Sequence, residues 1–240
     1  GVVDGDDWVA PEMYEKLLDK AREMNCVMVR CGYSRYSESG EDLGKVLPLG
    51  WEDYQVKGDV MKTAMLSPKR GRALDHTQFS CWNKIYHRKL WAAVRFDETL
   101  SVGEDFNALF QIIQLSDGMG VCHESLYSYV QRQMSVMHTR FSDSIEKNFE
   151  ASWGLIDLAK EESLKALCVE NIIVLTFSYI NGLAQNNDEL RYRKIRDDFM
   201  RYIPYVKQGF CAYNLKYQIG VLMLCYVPGI FWRIARQRMK

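Results

Sequence analysis

Val2-Val3-Asp4-Gly5-Asp6-Asp7-Trp8-Val9 opens the chain, with two β-branched residues running into three carboxylates around a glycine. β-Branched residues favour extended backbone, and Gly5 permits a tight turn. Asp4 and Asp6 share one side of an extended run, and in a turn they can converge. Carboxylates crowded in this way repel unless a cation or a donor offsets them. Mg²⁺ and Mn²⁺ take hard oxygen ligands, often one or two protein carboxylates plus substrate phosphates. The stretch therefore reads as a strand end and an acidic turn that can hold a metal–diphosphate. The plainer alternative makes Asp7 a cap for a helix starting near Pro11, with Asp4 and Asp6 solvated.

Outward from this turn, residues 11–26 read as a helix. Met13, Leu17, Leu18, Ala21 and Met24 recur at helical spacing. Residues 26–31 form a short apolar run with strand character, and 33–50 read as a hairpin or loop. Residues 51–66 are ambiguous, and 67–71 read as a basic loop. Ser80-Cys81-Trp82-Asn83-Lys84-Ile85-Tyr86 leads to a short helix at 87–93. Ser101-Val102-Gly103-Glu104-Asp105 turns into a helix over 106–115. Residues 119–123 and 127–132 read as two extended pieces. Short strands mixed with short helices predict an α/β fold. From Ser142 the texture changes to helices over 142–158, 161–183 and 188–200. The expected division is residues 1–141 and a helical extension, 142–240.

Lys+Arg and Asp+Glu both number 31, so the net charge is zero, which argues against a protein that coats nucleic acid. The seven cysteines are odd in number and form no C-x-x-C, which points to a reducing compartment and no structural zinc. No signal peptide is visible. Residues 219–232 carry no charge and are followed by Arg233, Arg236, Arg238 and Lys240. That run is shorter than the roughly 20 residues a membrane span needs. A basic amphipathic end of this kind suits the surface of an anionic leaflet. The alternative is a buried terminal helix with a solvated basic tip.

Two stretches together resemble family 2, GT-A-fold glycosyltransferases. The opening VVDGDDWVAPEMYEKLL resembles the D-x-D region. CWNKIYHRKL, RFDETLSVGEDFNALFQII and ESLYSYVQRQMSVM resemble the second half of the same Rossmann-like catalytic domain. The helical tail resembles extensions of bacterial members that build capsular or other surface polysaccharides. The resemblance implies transfer of a sugar, with inversion, from a nucleotide-diphosphate donor to a carbohydrate or lipid-linked acceptor. It implies Asp4 and Asp6 as donor and metal aspartates, with Asp6 the direct ligand of Mg²⁺ or Mn²⁺. Asp105 matches the catalytic base, with Glu104 beside it. Trp82, Asn83 and Lys84 fall on the acceptor side, although Trp82 also reads as core packing. Arg132 matches a basic position near the diphosphate, and His138 a further phosphate or metal group.

The same resemblance implies a βαβ portion before the D-x-D region that holds the donor's base and ribose. The sequence starts at the D-x-D region, so the expectation is that it is part of a longer protein, that the gene is truncated, or that another chain completes the fold. The expected location is the cytoplasm, peripheral on the inner face of the membrane. Rival readings are a noncatalytic remnant that binds a partner and a membrane-surface scaffold. Metal-dependent nucleotide-sugar binding separates the remnant from an enzyme, and liposome binding that survives D6A but not loss of residues 219–240 marks membrane anchoring.

Overall fold

Two long strands side by side organise the first part of the chain, in a computed structural model that describes residues 1–49, 52–58, 60–62, 80–100, 103–132, 152–210 and 214–237. They are β2 (Met28–Ser37) and β6 (Gly118–Gln131), and they run parallel. Four short strands serve their outer edges, all antiparallel to the strand they join. β4 (Tyr54–Lys57) and β1 (Trp8–Val9) pair with β6 near its two ends. β5 (Lys84–Tyr86) and β3 (Asp42–Val46) do the same for β2. The result is a six-stranded mixed sheet. The flanking helices are α1 (Met13–Glu23), α2 (Arg88–Ala93) and α3 (Glu104–Gln114).

Met28 to Tyr33 are all buried, as a strand covered on both faces must be. Val29, Cys31 and Tyr33 alternate onto one face, where they form a cluster with Met13 and Leu17 of α1 and with Trp82, Cys122, Leu126 and Tyr127. Met13 and Leu17 are fully buried, each worth about 1.5–3 kcal/mol relative to exposure. The α/β class expected from the sequence is the one observed.

Several local expectations change. Val2 and Val3 lie outside any strand. A strand needs a ladder partner, and it is Trp8 and Val9, after the acidic turn, that pair with Ser128 and Tyr127. Asp7 does not cap α1, which begins at Met13 with Glu12 at its N-cap. The two extended pieces at 119–123 and 127–132 belong to one strand, β6. Its pairing with β2 shifts register on either side of Gly32, which breaks the alternation that would reveal a single strand. The polar stretch after Tyr33 is a hairpin, β2 returning as β3. The basic loop at 67–71 lies outside the described residues.

The chain divides into two compact units, Gly1–Arg140 and Phe141–Lys240. The second contains a helical stretch over residues 152–158, then α4 (Glu162–Gln185), α5 (Glu189–Arg201), α6 (Ile203–Gly209), α7 (Leu215–Tyr226) and α8 (Pro228–Gln237). Among the described residues α4 alone is long and apolar enough to cross a membrane, and half of that apolar stretch is buried within the protein. It packs against α5, α6, α7 and α8. Trp153 stacks on Tyr202 at 4.4 Å and Tyr192 on Trp232 at 4.6 Å. The Tyr192 hydroxyl donates to the Pro228 carbonyl at 2.7 Å. The uncharged run at 219–232 is split between α7 and α8, because Pro228 cannot donate to the preceding turn and instead opens a new helix.

Candidate active site

The acidic turn is closed by the Asp7 amide donating to the Asp4 carbonyl at 3.1 Å. Both carboxylate oxygens of Asp7 are tied to β6. The Tyr127 hydroxyl donates to Oδ2 at 2.7 Å, and the Val130 amide donates to Oδ1 at 2.8 Å. The same Tyr127 oxygen accepts from the Asp4 amide at 3.1 Å. Partial burial raises the Asp7 pKa, and these two hydrogen bonds oppose the rise. Asp7 is the anchor of the turn.

Its neighbours point elsewhere. Asp6 Oδ2 pairs with Arg132 Nε at 2.9 Å, at the end of β6. The pair borders a shallow pocket of about 380 Å³ lined also by Trp8, Ser37, Glu38 and Val130. Asp4 has its carboxyl pushed up to about 6, first by burial around the carboxyl and then by repulsion from Asp7, Asp105, Asp6 and Glu104. The residue as a whole remains exposed. The acids a hundred residues later thus lie within electrostatic reach of Asp4.

Glu104 and Asp105 occupy the first turn of α3, where the helix end favours negative charge. Gly103 precedes them with φ of 84°, a left-handed conformation that suits glycine. Asp105 Oδ2 accepts from the Cys81 amide at 2.8 Å. Glu104 Oε2 is buried without a hydrogen-bond partner among the described residues.

The segment that supplies Cys81 is held from within. Lys84 Nζ donates to the Ser80 and Trp82 carbonyls and to Asn83 Oδ1, at 2.7, 3.3 and 2.9 Å. Asn83 Nδ2 donates to the Cys31 carbonyl at 2.6 Å, and the Tyr86 hydroxyl to the Cys81 carbonyl at 2.9 Å. Asn83 and Lys84 are fully buried, so they act beneath the site by fixing the turn that offers Cys81 to Asp105. Trp82 is also buried, stacked on Tyr127 at 4.7 Å and on Tyr129 at 5.2 Å. It braces the tyrosine that locks the acidic turn.

Of the residues singled out from sequence, Asp4 lies within electrostatic reach of Asp6, Glu104 and Asp105, and Arg132 pairs with Asp6. Trp82, Asn83 and Lys84 support them from the interior, and His138 lies outside the described residues. Tyr127, Val130 and the Cys81 amide were not anticipated. The alternation of Tyr127 and Tyr129 with Ser128 and Val130 marks a strand with an aromatic face, and nothing in the spacing ties that face to the turn. No three His, Cys, Asp or Glu side chains among the described residues converge closely enough to enclose a metal ion.

This arrangement sits on a known framework. No protein-family model matches the chain. The uncharacterized glycosyltransferase EpsJ of Bacillus subtilis (strain 168) is 23% identical over 189 residues, which are 73% of this chain and 53% of EpsJ. The chain is a distant relative of glycosyltransferases. In fold it resembles S. aureus TarS 1-349 in complex with UDP-GlcNAc, with a TM-score of 0.65 and 14% identity over 98% of this chain and 65% of that one. The same protein in complex with UDP gives a TM-score of 0.65, covering 98% of this chain and 64% of that one. The chain thus spans about half the length of EpsJ and just under two thirds of these TarS chains.

Proposed function

We propose that this site transfers a sugar from a nucleotide-diphosphate donor to an acceptor hydroxyl, with inversion. The observation that carries the reading is the acidic turn anchored to β6, with Arg132 on Asp6 and Asp4 within electrostatic reach of the acids that open α3. The distant kinship with EpsJ and the fold shared with a protein that binds UDP-GlcNAc and UDP support it.

In this reading Asp105 is the general base. Its carboxylate takes the acceptor hydroxyl's proton as the oxygen bonds to the anomeric carbon and the bond from that carbon to the diphosphate breaks. The Cys81 amide fixes one carboxylate oxygen and so orients the other. Glu104 adds to the negative field beside it. Arg132 exchanges Asp6 for the diphosphate, where a guanidinium makes charge-assisted bonds. Asp6 and Asp4 are hard oxygen donors, fit for Mg²⁺ or Mn²⁺ only if phosphate oxygens complete the shell. Such an ion, when bound, offsets charge on the leaving diphosphate. The raised Asp4 pKa and the orphaned Glu104 oxygen are what a cation in this neighbourhood would relieve. The acceptor is a carbohydrate or lipid-linked glycan of a surface or capsular polysaccharide, met at the inner face of the membrane.

Calorimetric titration of a nucleotide-sugar panel including UDP-GlcNAc, with Mn²⁺ and with chelator, tests donor binding. In whichever form turns over, D105N should lose transfer by at least about a hundredfold while still binding donor. D6A should weaken Mn²⁺-dependent binding. Full turnover in D105N sinks the base assignment, and binding indifferent to chelator sinks the cation.

A further inference from the structure

Leu215, Ile219, Leu222 and Tyr226 recur at spacings of four, three and four along α7 and stand between 46% and 75% exposed. Val227, Ile230 and Ile234 carry the exposed apolar surface onto α8. The opposite sides of the same helices, with Val221, Leu224, Trp232 and Ala235, are buried. The helices thus have two apolar faces, and the unit's core uses only one. A contiguous apolar strip of this size marks an interaction surface.

Charge decides what it meets. Seven Lys or Arg and no acid follow Asp198 in the sequence. Lys216 stands exposed beside the start of the strip, and Arg233 and Arg236 are exposed on α8. A second copy of the chain, docked face to face, would set these like charges against one another. An anionic lipid surface answers both features at once, apolar side chains entering the acyl boundary and basic ones meeting phosphates. α7 has 12 residues and α8 has 10, each too short to span, so they lie along the surface. A cavity of about 700 Å³ between α4, α7 and α8 is walled by Phe177, Gly220 and Phe231 and shares Leu215, Ile219 and Ile234 with the strip, giving room for an acyl chain.

We propose that the α7–α8 face seats the helical unit on an anionic phospholipid bilayer. The proposal is independent of the transfer reaction.

Flotation of the full chain with phosphatidylcholine vesicles, with and without phosphatidylglycerol, tests it. The chain should float with the phosphatidylglycerol vesicles, less so as salt rises and the Debye length shrinks. L222E/Y226E should lower the bound fraction at least about tenfold, with helical circular dichroism and nucleotide-sugar binding unchanged. R233Q/R236Q, which leaves the apolar strip intact, should remove the preference for phosphatidylglycerol. The proposal is overturned if the folded chain fails to float, if both variants bind like the parent, or if L222E/Y226E instead abolishes self-association of a chain that ignores vesicles.

Discussion

Asp7 has both oxygens committed to β6, and this leaves Asp4 and Asp6 at the surface of the turn with their charges unneutralised by backbone. Tyr127 is the hinge of that arrangement. Its hydroxyl serves Asp7 as donor and the Asp4 amide as acceptor. Tyr127→Phe removes both bonds and should cost about 1–2 kcal/mol in thermal or urea unfolding, because a part-buried carboxylate loses a donor. Donor affinity should fall with it, and an unchanged midpoint would show that the hydroxyl does not hold the turn. Asp4 gives a pH signature. Its folded pKa, about 6, lies above the ordinary 3.8. The folded state therefore holds that proton more tightly, and the associated stability is present below about pH 4 and lost as pH rises through about 6. Asp4→Asn should gain on the parent across that window, by less than about 1 kcal/mol since solvent screens an exposed carboxyl. A melting-temperature difference that stays flat from pH 4 to 7 would contradict the crowding of Asp4. The acids of this site were legible because Asp and Glu on turns flanked by apolar runs stand out in a sequence. Asn83 and Lys84 were not, because whether a polar side chain lines a cleft or fills a core depends on carbonyls brought in from other strands.

At the level of elements, helices declared themselves through spacing and strands did so less well. α1, α3, α4 and α5 fall within a few residues of their expected ranges. β6 was split because a register shift interrupts its pattern, and Val2–Val3 looked like a strand because β-propensity says nothing about whether a partner is at hand. The α4–α7 contact was invisible in sequence. There a Cβ added at Gly220 would lie 2.7 and 2.8 Å from ring carbons of Phe177. That ring is stacked on Tyr217 at 5.8 Å and leans on Phe231 at 5.6 Å, so moving it disturbs both contacts. Helix propensity alone favours alanine over glycine by about 1 kcal/mol. Overpacking opposes it with about 1–3 kcal/mol. Gly220→Ala should therefore lower the urea midpoint, and a rise would mean that the helices are free to move apart.

Over the whole molecule, a net charge of zero conceals a division of labour. Carboxylates gather on the sheet unit, and the last stretch of the helical unit holds only basic groups. The change of texture near Ser142 was legible as a loss of strand character. That the acidic turn and the start of α3 serve one site was implied by the family resemblance and not by spacing, since about a hundred residues and most of the sheet lie between them. Tyr127 and Val130, which lock the turn, sit on β6, and β6 also pairs with β1, β2 and β4. The turn is thus fastened to the spine of its unit. The hydrogen-bonded amides of Asp4 and Asp7 should therefore exchange with solvent more slowly than the rest of the turn. On warming, such a site keeps its shape until the cooperative transition and then loses it in one step.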